Sequence, residues 1–439
     1  MPSKRDREPA LTTPFAALWP CILFGLVLLL TTPATAQPFA LGPEERVFPS
    51  QSDTQTEGFI SAAADGRFLI VWNEAGDLRG QFFDSEGAQA GNELFVSSAA
   101  DGLQSVARLE SIATHADGGF VVAWSSPVTG SYFPDVPEQY LRRFASDGSP
   151  VGDDLQVNQG TRGLQEASDI VTADDGHFVV VWQDSSYPSR SESIKGRRFA
   201  SGGQALGGDF TISQAALQDH YEPNGAALGG DFLTVWRETF YASNEPQTLH
   251  GRLTAFDTGA MGVIERIDQV DGRRIGEPDV TAVSDGFLVV WDSTTTTGET
   301  LHELHTRRLD SNGTPVGDAI LIRSATSQVT HPRLVTNNSD HVALVWTDPG
   351  LDGSYDSVAL RLLDSTGAPT TEPILVNQWN YGSQRLEDVT ASGGEFIILW
   401  KSTQERVTGS DFYMRRFGVD PNLFADGFES GDTSRWAPP

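Results

Sequence analysis

The chain is patterned by short apolar runs that each end in tryptophan and recur at a regular interval. There are seven such runs, the third being Phe178 to Trp182 and the last Phe396 to Trp400. Their tryptophans are 52, 58, 54, 55, 55 and 54 residues apart. A run that is apolar at nearly every position is typical of a β-strand buried on both faces. The pattern therefore predicts one buried strand in each of seven repeats.

Each repeat contains three further strand-like segments, as the third copy illustrates. Asp169 to Ala173 precedes the buried run, and Ile194 to Phe199 and Asp209 to Ile212 follow it. Turns rich in Gly, Asp and Ser separate these segments, and the sequence has no helix-period pattern. Four strands per repeat of about 40–55 residues predict an all-β fold, a seven-bladed β-propeller of four-stranded blades.

The two ends of the repeat array predict how the ring closes. The seventh repeat has three strand-like segments and lacks a fourth, whereas Glu44 to Phe48 resembles a fourth strand placed before the first repeat. If the N-terminal strand joins the last blade, two exposed sheet edges are removed at once. We therefore expect a propeller over residues 37–420 that is closed by its N-terminal strand.

The first 36 residues predict a signal peptide. Lys4, Arg5 and Arg7 precede an apolar stretch from Phe15 to Leu30, and Ala34 to Ala36 has the small-x-small pattern of a cleavage site. The stretch is short for a membrane span, so a retained anchor is the alternative. We expect a secreted protein (extracellular, periplasmic or on the cell surface) whose mature chain is a monomer and is not inserted in a membrane.

Charge and cysteine content exclude several partners. The chain has 59 acidic and 30 basic side chains and a formal net charge of −29. Such a protein repels nucleic acid and anionic membrane surfaces, so neither is an expected partner. The single cysteine, Cys21, lies in the predicted signal segment. The mature chain therefore has neither disulfides nor thiol chemistry.

Two motifs resemble those of known exported proteins. Asp117 to Trp124 together with Leu141 to Gly148 resembles repeats found in large secreted bacterial proteins, both adhesin-like and haemolysin-type calcium-binding. Phe424 to Trp436 resembles a short C-terminal segment of assorted exported bacterial proteins. The resemblance implies a bacterial repeat protein with a separate C-terminal tail over residues 421–439, and it implies little about function.

The connections between strands predict which face of the propeller binds a ligand. Those after the second and fourth strands share one face and vary in length, whereas the others are short turns. Variable loops on a rigid scaffold are typical of binding sites, and aromatic residues in them suit a glycan or protein ligand. The alternative is that these aromatic residues only cover the loop bases. The candidate ligand-binding residues are Tyr132, Tyr187, Tyr221, Tyr241, Tyr355, Trp379 and Tyr381.

Two further sets of residues recur with the repeat. Acidic residues near the start of each first strand are expected to ring the channel mouth, where Ca²⁺ could bind carboxylate oxygens; a solvated acidic rim is the alternative. This set is Glu57, Glu110, Asp169, Glu222, Glu277 and Glu387. The repeat tryptophans are expected to form core between blades. They are Trp72, Trp124, Trp182, Trp236, Trp291, Trp346 and Trp400.

These features leave three functions open. The leading expectation is a non-enzymatic propeller that binds an extracellular glycan or protein through its loop face. The second is a metal-assisted hydrolase or lactonase-like enzyme that uses channel carboxylates. The third is a passive structural role in the envelope or matrix. No Gly-x-Ser-x-Gly nucleophile motif and no phosphate-binding glycine loop is present, so no catalytic residue is predicted.

Overall fold

The computed structural model describes most of the predicted propeller. It covers residues 37–48, 55–74, 76–97, 108–127, 137–160, 163–185, 192–213, 218–240, 247–269, 272–337, 341–353, 355–403 and 410–420. The predicted signal segment and the predicted tail lie outside these ranges. Within them the chain forms strands and turns, and we find no helix there that is long and apolar enough to span a membrane.

Seven antiparallel sheets form the blades, which we number 1 to 7 in chain order. The N-terminal strands and those of blades 1 to 3 are β1 (Gln37–Ala40), β2 (Glu45–Arg46), β3 (Gln55–Ala62), β4 (Phe68–Glu74), β5 (Asp77–Phe83), β6 (Gln89–Phe95), β7 (Arg108–Thr114), β8 (Phe120–Pro127), β9 (Pro137–Phe144), β10 (Pro150–Gln156), β11 (Gln165–Thr172), β12 (Phe178–Asp184), β13 (Ser193–Phe199) and β14 (Phe210–Thr211). Those of blades 4 to 7 are β15 (Gln218–Leu228), β16 (Asp231–Phe240), β17 (Thr248–Ala255), β18 (Met261–Arg266), β19 (Arg273–Val283), β20 (Gly286–Thr295), β21 (His302–Asp310), β22 (Pro315–Ala325), β23 (Thr330–Thr336), β24 (Val342–Asp348), β25 (Ser357–Leu363), β26 (Ile374–Leu375), β27 (Gln384–Ser392), β28 (Glu395–Ser402) and β29 (Asp411–Asp420).

The strands of each blade follow one another in chain order across the sheet, as β3-β4-β5-β6 do in blade 1. The first strands of neighbouring blades pack against each other around a central channel, from β3 against β7 to β27 against β3. The predicted fold is confirmed: an all-β, seven-bladed β-propeller of four-stranded blades.

The N-terminal segment closes the ring on blade 7, as predicted. Both β1 and β2 pair antiparallel with β29, Ala40 opposite Phe417 and Arg46 opposite Tyr413. Arg46 also forms an ion pair of 2.6 Å with Asp411. The segment is longer than the sequence predicted, because β1 continues the pairing before the Glu44–Phe48 stretch begins. The outer edge of β29 is therefore covered along most of its length.

The second strand of each blade forms the core. In β4, β12 and β24 every residue is buried, and the seven repeat tryptophans are each at most 3% exposed. Trp124 packs with Leu69 and Val71 of the preceding blade. The apolar clusters thus lie between adjacent blades, and burial there rather than any disulfide holds the ring together.

Candidate active site

The channel mouth is shaped by a β-bulge in the first strand of every blade. In blade 1 the pairing passes from Thr56 opposite Asn73 to Gly58 opposite Trp72, which leaves Glu57 as the extra residue. An extra residue of this kind redirects side chains locally. Corresponding bulges contain Glu110, Glu222, Glu277 and Glu387. The bulges explain why an acidic residue recurs at this point of the repeat.

Two cavities follow the axis of the propeller. The outer one, of about 760 Å³, opens at the mouth and is lined by acidic and basic side chains. The inner one, of about 360 Å³, lies deeper in the channel. Glu110, Glu222, Glu277 and Arg333 line both. The cavities therefore meet at a layer of charged residues. We call this layer, together with the outer cavity, the channel mouth.

Three of the predicted rim carboxylates bind backbone groups of the next blade. The backbone N–H of Leu109 donates to Glu57 Oε2 at 3.0 Å, and that of Gly58 donates to Glu387 Oε2 at 3.0 Å. Glu110 accepts two N–H groups of blade 3 at 3.1 and 2.9 Å. These side chains connect neighbouring blades, so much of their hydrogen-bonding capacity is used within the fold.

Asp169 lies one layer deeper than predicted. It pairs opposite Val181, the residue before the repeat tryptophan, and Asp388 occupies the same register position in blade 7. Asp169 accepts hydrogen bonds from Ser111 Oγ and from the backbone N–H of Gly225, both at 2.9 Å. Burial in the channel raises the pKa of Asp169 to about 6 and that of Asp388 to about 7.

Glu222 and Glu277, on neighbouring blades 4 and 5, differ from the other rim carboxylates because their partners are side chains. Arg237 Nη2 donates to Glu222 Oε1 at 3.0 Å, while the buried Glu222 Oε2 has no hydrogen-bond partner among the described residues. Glu277 Oε2 accepts from Arg333 Nη2 at 3.5 Å, and its Oε1 lies 3.8 Å from His331 Nε2. These two carboxylates remain available to a ligand in the mouth.

The surroundings of these two carboxylates shift their pKa values in opposite directions. Burial raises the pKa of Glu222, and the negative charge of Glu277 raises it further. Burial also opposes ionisation of Glu277, but Arg333 and His331 outweigh it and lower the pKa of that carboxyl. Glu222 therefore holds a proton more readily than Glu277, which stays ionised.

A third carboxyl, Asp292, stands behind this pair. Burial and the charges of Glu277 and Glu222 raise the pKa of Asp292 to about 7. Its carboxylate oxygens lie so close to Gly276 that a Cβ at that position would overlap them. Glycine in the blade 5 bulge thus allows the Asp292 carboxyl to approach the backbone there.

Histidine, arginine and tyrosine complete the mouth. Arg385 Nη2 donates to His331 Nε2 at 3.2 Å, and His331 Nδ1 lies 2.8 Å from Thr330 Oγ1. The guanidinium carbon of Arg237 lies 5.5 Å from the centre of the Tyr221 ring. Burial and Asp219 raise the pKa of Tyr221 to about 12. The phenol therefore stays neutral at physiological pH, and its hydroxyl donates a hydrogen bond to Asp219.

The predicted aromatic residues are distributed unevenly. Tyr221 is half-buried and lines the mouth, whereas Tyr355, Trp379 and Tyr381 are 63%, 61% and 72% exposed on outer loops. The remaining three lie outside the described residues: Tyr132, Tyr187 and Tyr241. Of the described aromatic candidates, Tyr221 alone lines the outer cavity.

Sequence reasoning missed the basic residues of the mouth. Blade 6 contributed no acidic residue to the predicted rim, and that blade supplies His331 and Arg333 at the bulge. Aligning the seven first strands on their tryptophans would have placed both in the channel. The described residues contain no group of three or more His, Cys, Asp or Glu side chains arranged to hold a metal ion. Calcium at the rim stays a prediction.

Comparisons with known proteins identify the fold and no sequence family. No protein-family model and no curated protein matches the sequence. Solved structures that resemble the chain include a protein of unknown function from Dyadobacter fermentans (TM-score 0.54, 10% identity, 87% of this chain and 99% of that one). Others are polysaccharide lyase Uly1 (0.55, 9%, 87% and 100%) and an α-L-arabinanase from Penicillium chrysogenum (0.48, 14%, 87% and 98%). The resemblance to secreted bacterial repeats stays a prediction.

The comparisons correct the leading expectation about function. At 9% identity the likeness to polysaccharide lyase Uly1 shows the fold alone, yet that propeller is an enzyme. The expectation of a non-enzymatic binding protein is therefore wrong. The alternative, a hydrolase or lactonase-like enzyme that uses channel carboxylates, agrees better with this neighbour, and the metal expected to assist it stays a prediction.

Proposed function

We propose that this propeller is a glycoside hydrolase that cleaves a polysaccharide at the channel mouth. The observation that carries the proposal is the pair Glu222 and Glu277, which line the same cavities and whose pKa values are shifted in opposite directions. Glycosidic bond cleavage requires one carboxyl group that gives up a proton and one that acts ionised, and a raised and a lowered pKa favour these two roles.

Each carboxyl has a distinct role in this chemistry. Glu222, whose side chain is 34% exposed in the mouth, donates its proton to the glycosidic oxygen as the bond breaks. Glu277 acts in its ionised form, either on the anomeric carbon or on the attacking water, with Arg333 holding it. The oxygen of the neutral Tyr221 hydroxyl can accept a hydrogen bond from a sugar hydroxyl.

The substrate class is supported by the comparison and by the cavity. The match to polysaccharide lyase Uly1 covers 87% of this chain, so a propeller of similar fold can accommodate a polysaccharide. An outer cavity of about 760 Å³ is large enough for one or more sugar rings. An exported enzyme, as the predicted signal segment suggests, would meet polysaccharides outside the cell.

The test is a hydrolysis assay on the full chain with a panel of plant, algal and bacterial polysaccharides. Release of reducing ends is measured for the wild type and for Glu222→Gln and Glu277→Gln. Each substitution should lower the rate by about 10²–10⁴-fold, the usual contribution of general acid–base catalysis. Glu299→Gln, an exposed carboxylate in a loop of blade 5, is the matched control and should retain full activity.

Product analysis distinguishes hydrolysis from elimination. A hydrolase adds water and leaves saturated ends, whereas a lyase leaves an unsaturated sugar that absorbs in the ultraviolet. We expect saturated products, because the raised pKa of Tyr221 keeps it from acting as a base at neutral pH. Unsaturated products, or full activity in both Gln variants, would overturn the assignment of Glu222 and Glu277.

A further inference from the structure

Basic side chains lie among the carboxylates of the channel mouth. The formal net charge of the chain is −29, yet Arg108, Arg333, Arg385 and Lys401 line the outer cavity. Six glutamates line the same cavity, so an anionic ligand there depends on basic groups that no carboxylate neutralises.

Two of these four basic residues have carboxylate partners and two do not. Arg333 lies 3.5 Å from Glu277, and Lys401 Nζ lies 3.1 Å from Glu387 Oε1. Arg108 and Arg385 are exposed, and neither makes an ion pair with any residue that the structure describes. Their guanidinium groups therefore retain donors for a bound anion.

The positions of Arg108 and Arg385 are matched by the fold. Arg385 in blade 7 pairs opposite Lys401, and Arg108 in blade 2 pairs opposite Ser125. Lys401 and Ser125 each directly follow a repeat tryptophan. The two arginines therefore occupy the same register position, and so the same height along the channel axis, in blades 7 and 2, which flank blade 1. At this height blade 1 has Thr56, a small residue that also lines the cavity. The two arginines thus stand on either side of an open position.

Arg385 is also connected to the carboxylates of the proposed reaction. It donates to His331 Nε2 at 3.2 Å, and the same nitrogen lies 3.8 Å from Glu277. A guanidinium can only donate, so His331 accepts with Nε2 and is neutral. Because His331 is neutral, Arg385 keeps its positive charge. A sugar held at Glu277 would have this guanidinium as its neighbour.

We propose that the substrate is an acidic polysaccharide and that Arg385 and Arg108 bind the carboxylate groups of its uronic acid residues. This inference rests on the proposed function of the mouth. A guanidinium matches the two oxygens of a carboxylate with two parallel hydrogen bonds, which gives both attraction and orientation. A neutral polysaccharide would leave both guanidinium groups without an acceptor from the ligand.

The test measures binding separately from cleavage. Full-chain protein carrying Glu222→Gln is titrated calorimetrically with oligosaccharides of polygalacturonate, alginate and hyaluronan, and with the same oligosaccharides after reduction of their carboxyl groups. At least one acidic ligand should bind, and its reduced form should bind about tenfold or more weakly. Affinity for the acidic form should fall as salt is raised.

Variants then locate the anion site. Arg385→Gln and Arg108→Gln should each weaken binding of the acidic ligand about tenfold and leave binding of the reduced ligand unchanged. Arg67→Gln removes the same charge from a turn between the first two strands of blade 1, and should not change affinity.

The possible results separate the two proposals. Equal binding of acidic and reduced ligands, no binding of any uronate, or unchanged affinity in both arginine variants would overturn the inference even if the wild type hydrolyses a neutral polysaccharide. Tighter binding of dextran sulfate than of every uronate would also overturn it, in favour of a sulfate ester. Arginine-dependent uronate binding without cleavage would support the inference and contradict the proposed hydrolase.

Discussion

Arg252 Nη1 donates a hydrogen bond of 2.7 Å to the backbone carbonyl of Ile212, which joins the third strand of blade 4 to the end of blade 3. Five other blades repeat this contact with the preceding blade. The equivalent donors are Arg142, Arg197, Arg307, Arg361 and Arg415. The arginine at this position of the third strand is therefore a structural tie between blades and contributes to the stability of the ring.

Arg252→Met should destabilise the protein because it preserves the length of the side chain but removes the charged donor. The carbonyl of Ile212 loses a partner, and a hydrogen bond to a charged group contributes about 1.5–3 kcal/mol. Urea denaturation measures the loss. Arg385→Met, an exposed arginine at the mouth, is the control and should change the free energy of unfolding by less than about 0.5 kcal/mol. Equal effects of the two substitutions would contradict the tie.

The sequence predicts the ring well because its signals are local. Tryptophan spacing gives the number of blades, and a missing fourth strand gives the closure. The layers of the channel were not predictable in the same way, since they depend on bulge length. The bulge holds one residue in blade 1 but two in blade 3. Counting along the chain therefore made Asp169 equivalent to Glu57, although Asp169 lies a layer deeper.

The active-site residues were harder to predict for a related reason. Glu222 and Glu277 look like the other rim acids in sequence, and all were assigned to one metal-binding set. What distinguishes them is which partners they meet: Arg237, Arg333 and His331 come from other strands or blades. A single sequence does not show these contacts. It therefore predicts the set of acidic residues at the rim but does not distinguish Glu222 and Glu277 within that set.

Removal of the closing segment should destabilise the whole ring. Deleting Gln37–Phe48 uncovers β29 and removes Phe48, whose ring centre lies 3.9 Å from that of Trp72, as well as the Arg46–Asp411 ion pair. We expect a markedly lower melting temperature and aggregation through the open strand edge. Deleting residues 421–439 is the control. A monomeric protein with an unchanged melting temperature after the first deletion would contradict closure by this segment.

Trp182→Ala should be among the most damaging single substitutions. Trp182 is fully buried between blades, and its Nε1 donates to Gln165 Oε1 at 2.7 Å. Truncating a buried tryptophan costs about 3–5 kcal/mol. Trp379→Ala removes the same side chain from an exposed loop position and should cost less than about 0.5 kcal/mol. Chemical denaturation of both variants measures the difference, and similar losses would contradict a structural role for the repeat tryptophan.

Calcium binding at the rim can be tested by thermal melts in matched calcium and magnesium. A cation that binds the folded state alone raises the melting temperature with its concentration. Coordination would need Glu57 and Glu387 to exchange backbone N–H donors for the ion. A calcium-specific increase that Glu57→Gln abolishes would support the predicted site. Identical curves in the two salts would leave the rim carboxylates with their blade-connecting role alone.

Asp388 should make stability depend on pH between mildly acidic and mildly alkaline conditions. Burial, together with the charge of Asp279, raises its folded-state pKa to about 7 from an ordinary value of 3.8. The folded protein thus binds this proton more tightly than the unfolded chain does. The stabilisation is present below the unfolded pKa and is lost as the pH rises through about 7.

Asp388→Asn removes this titration, because an amide does not ionise in that range. The variant loses one acceptor for the backbone N–H groups of Ile60 and Val389, which imposes a penalty that does not vary with pH. Measured by urea denaturation, its stability relative to the wild type should therefore improve from pH 5 to pH 8. Asp257→Asn, in an exposed turn, controls for the loss of a negative charge. A difference between Asp388→Asn and the wild type that stays constant over this range would show that Asp388 is already ionised in the folded protein at pH 5.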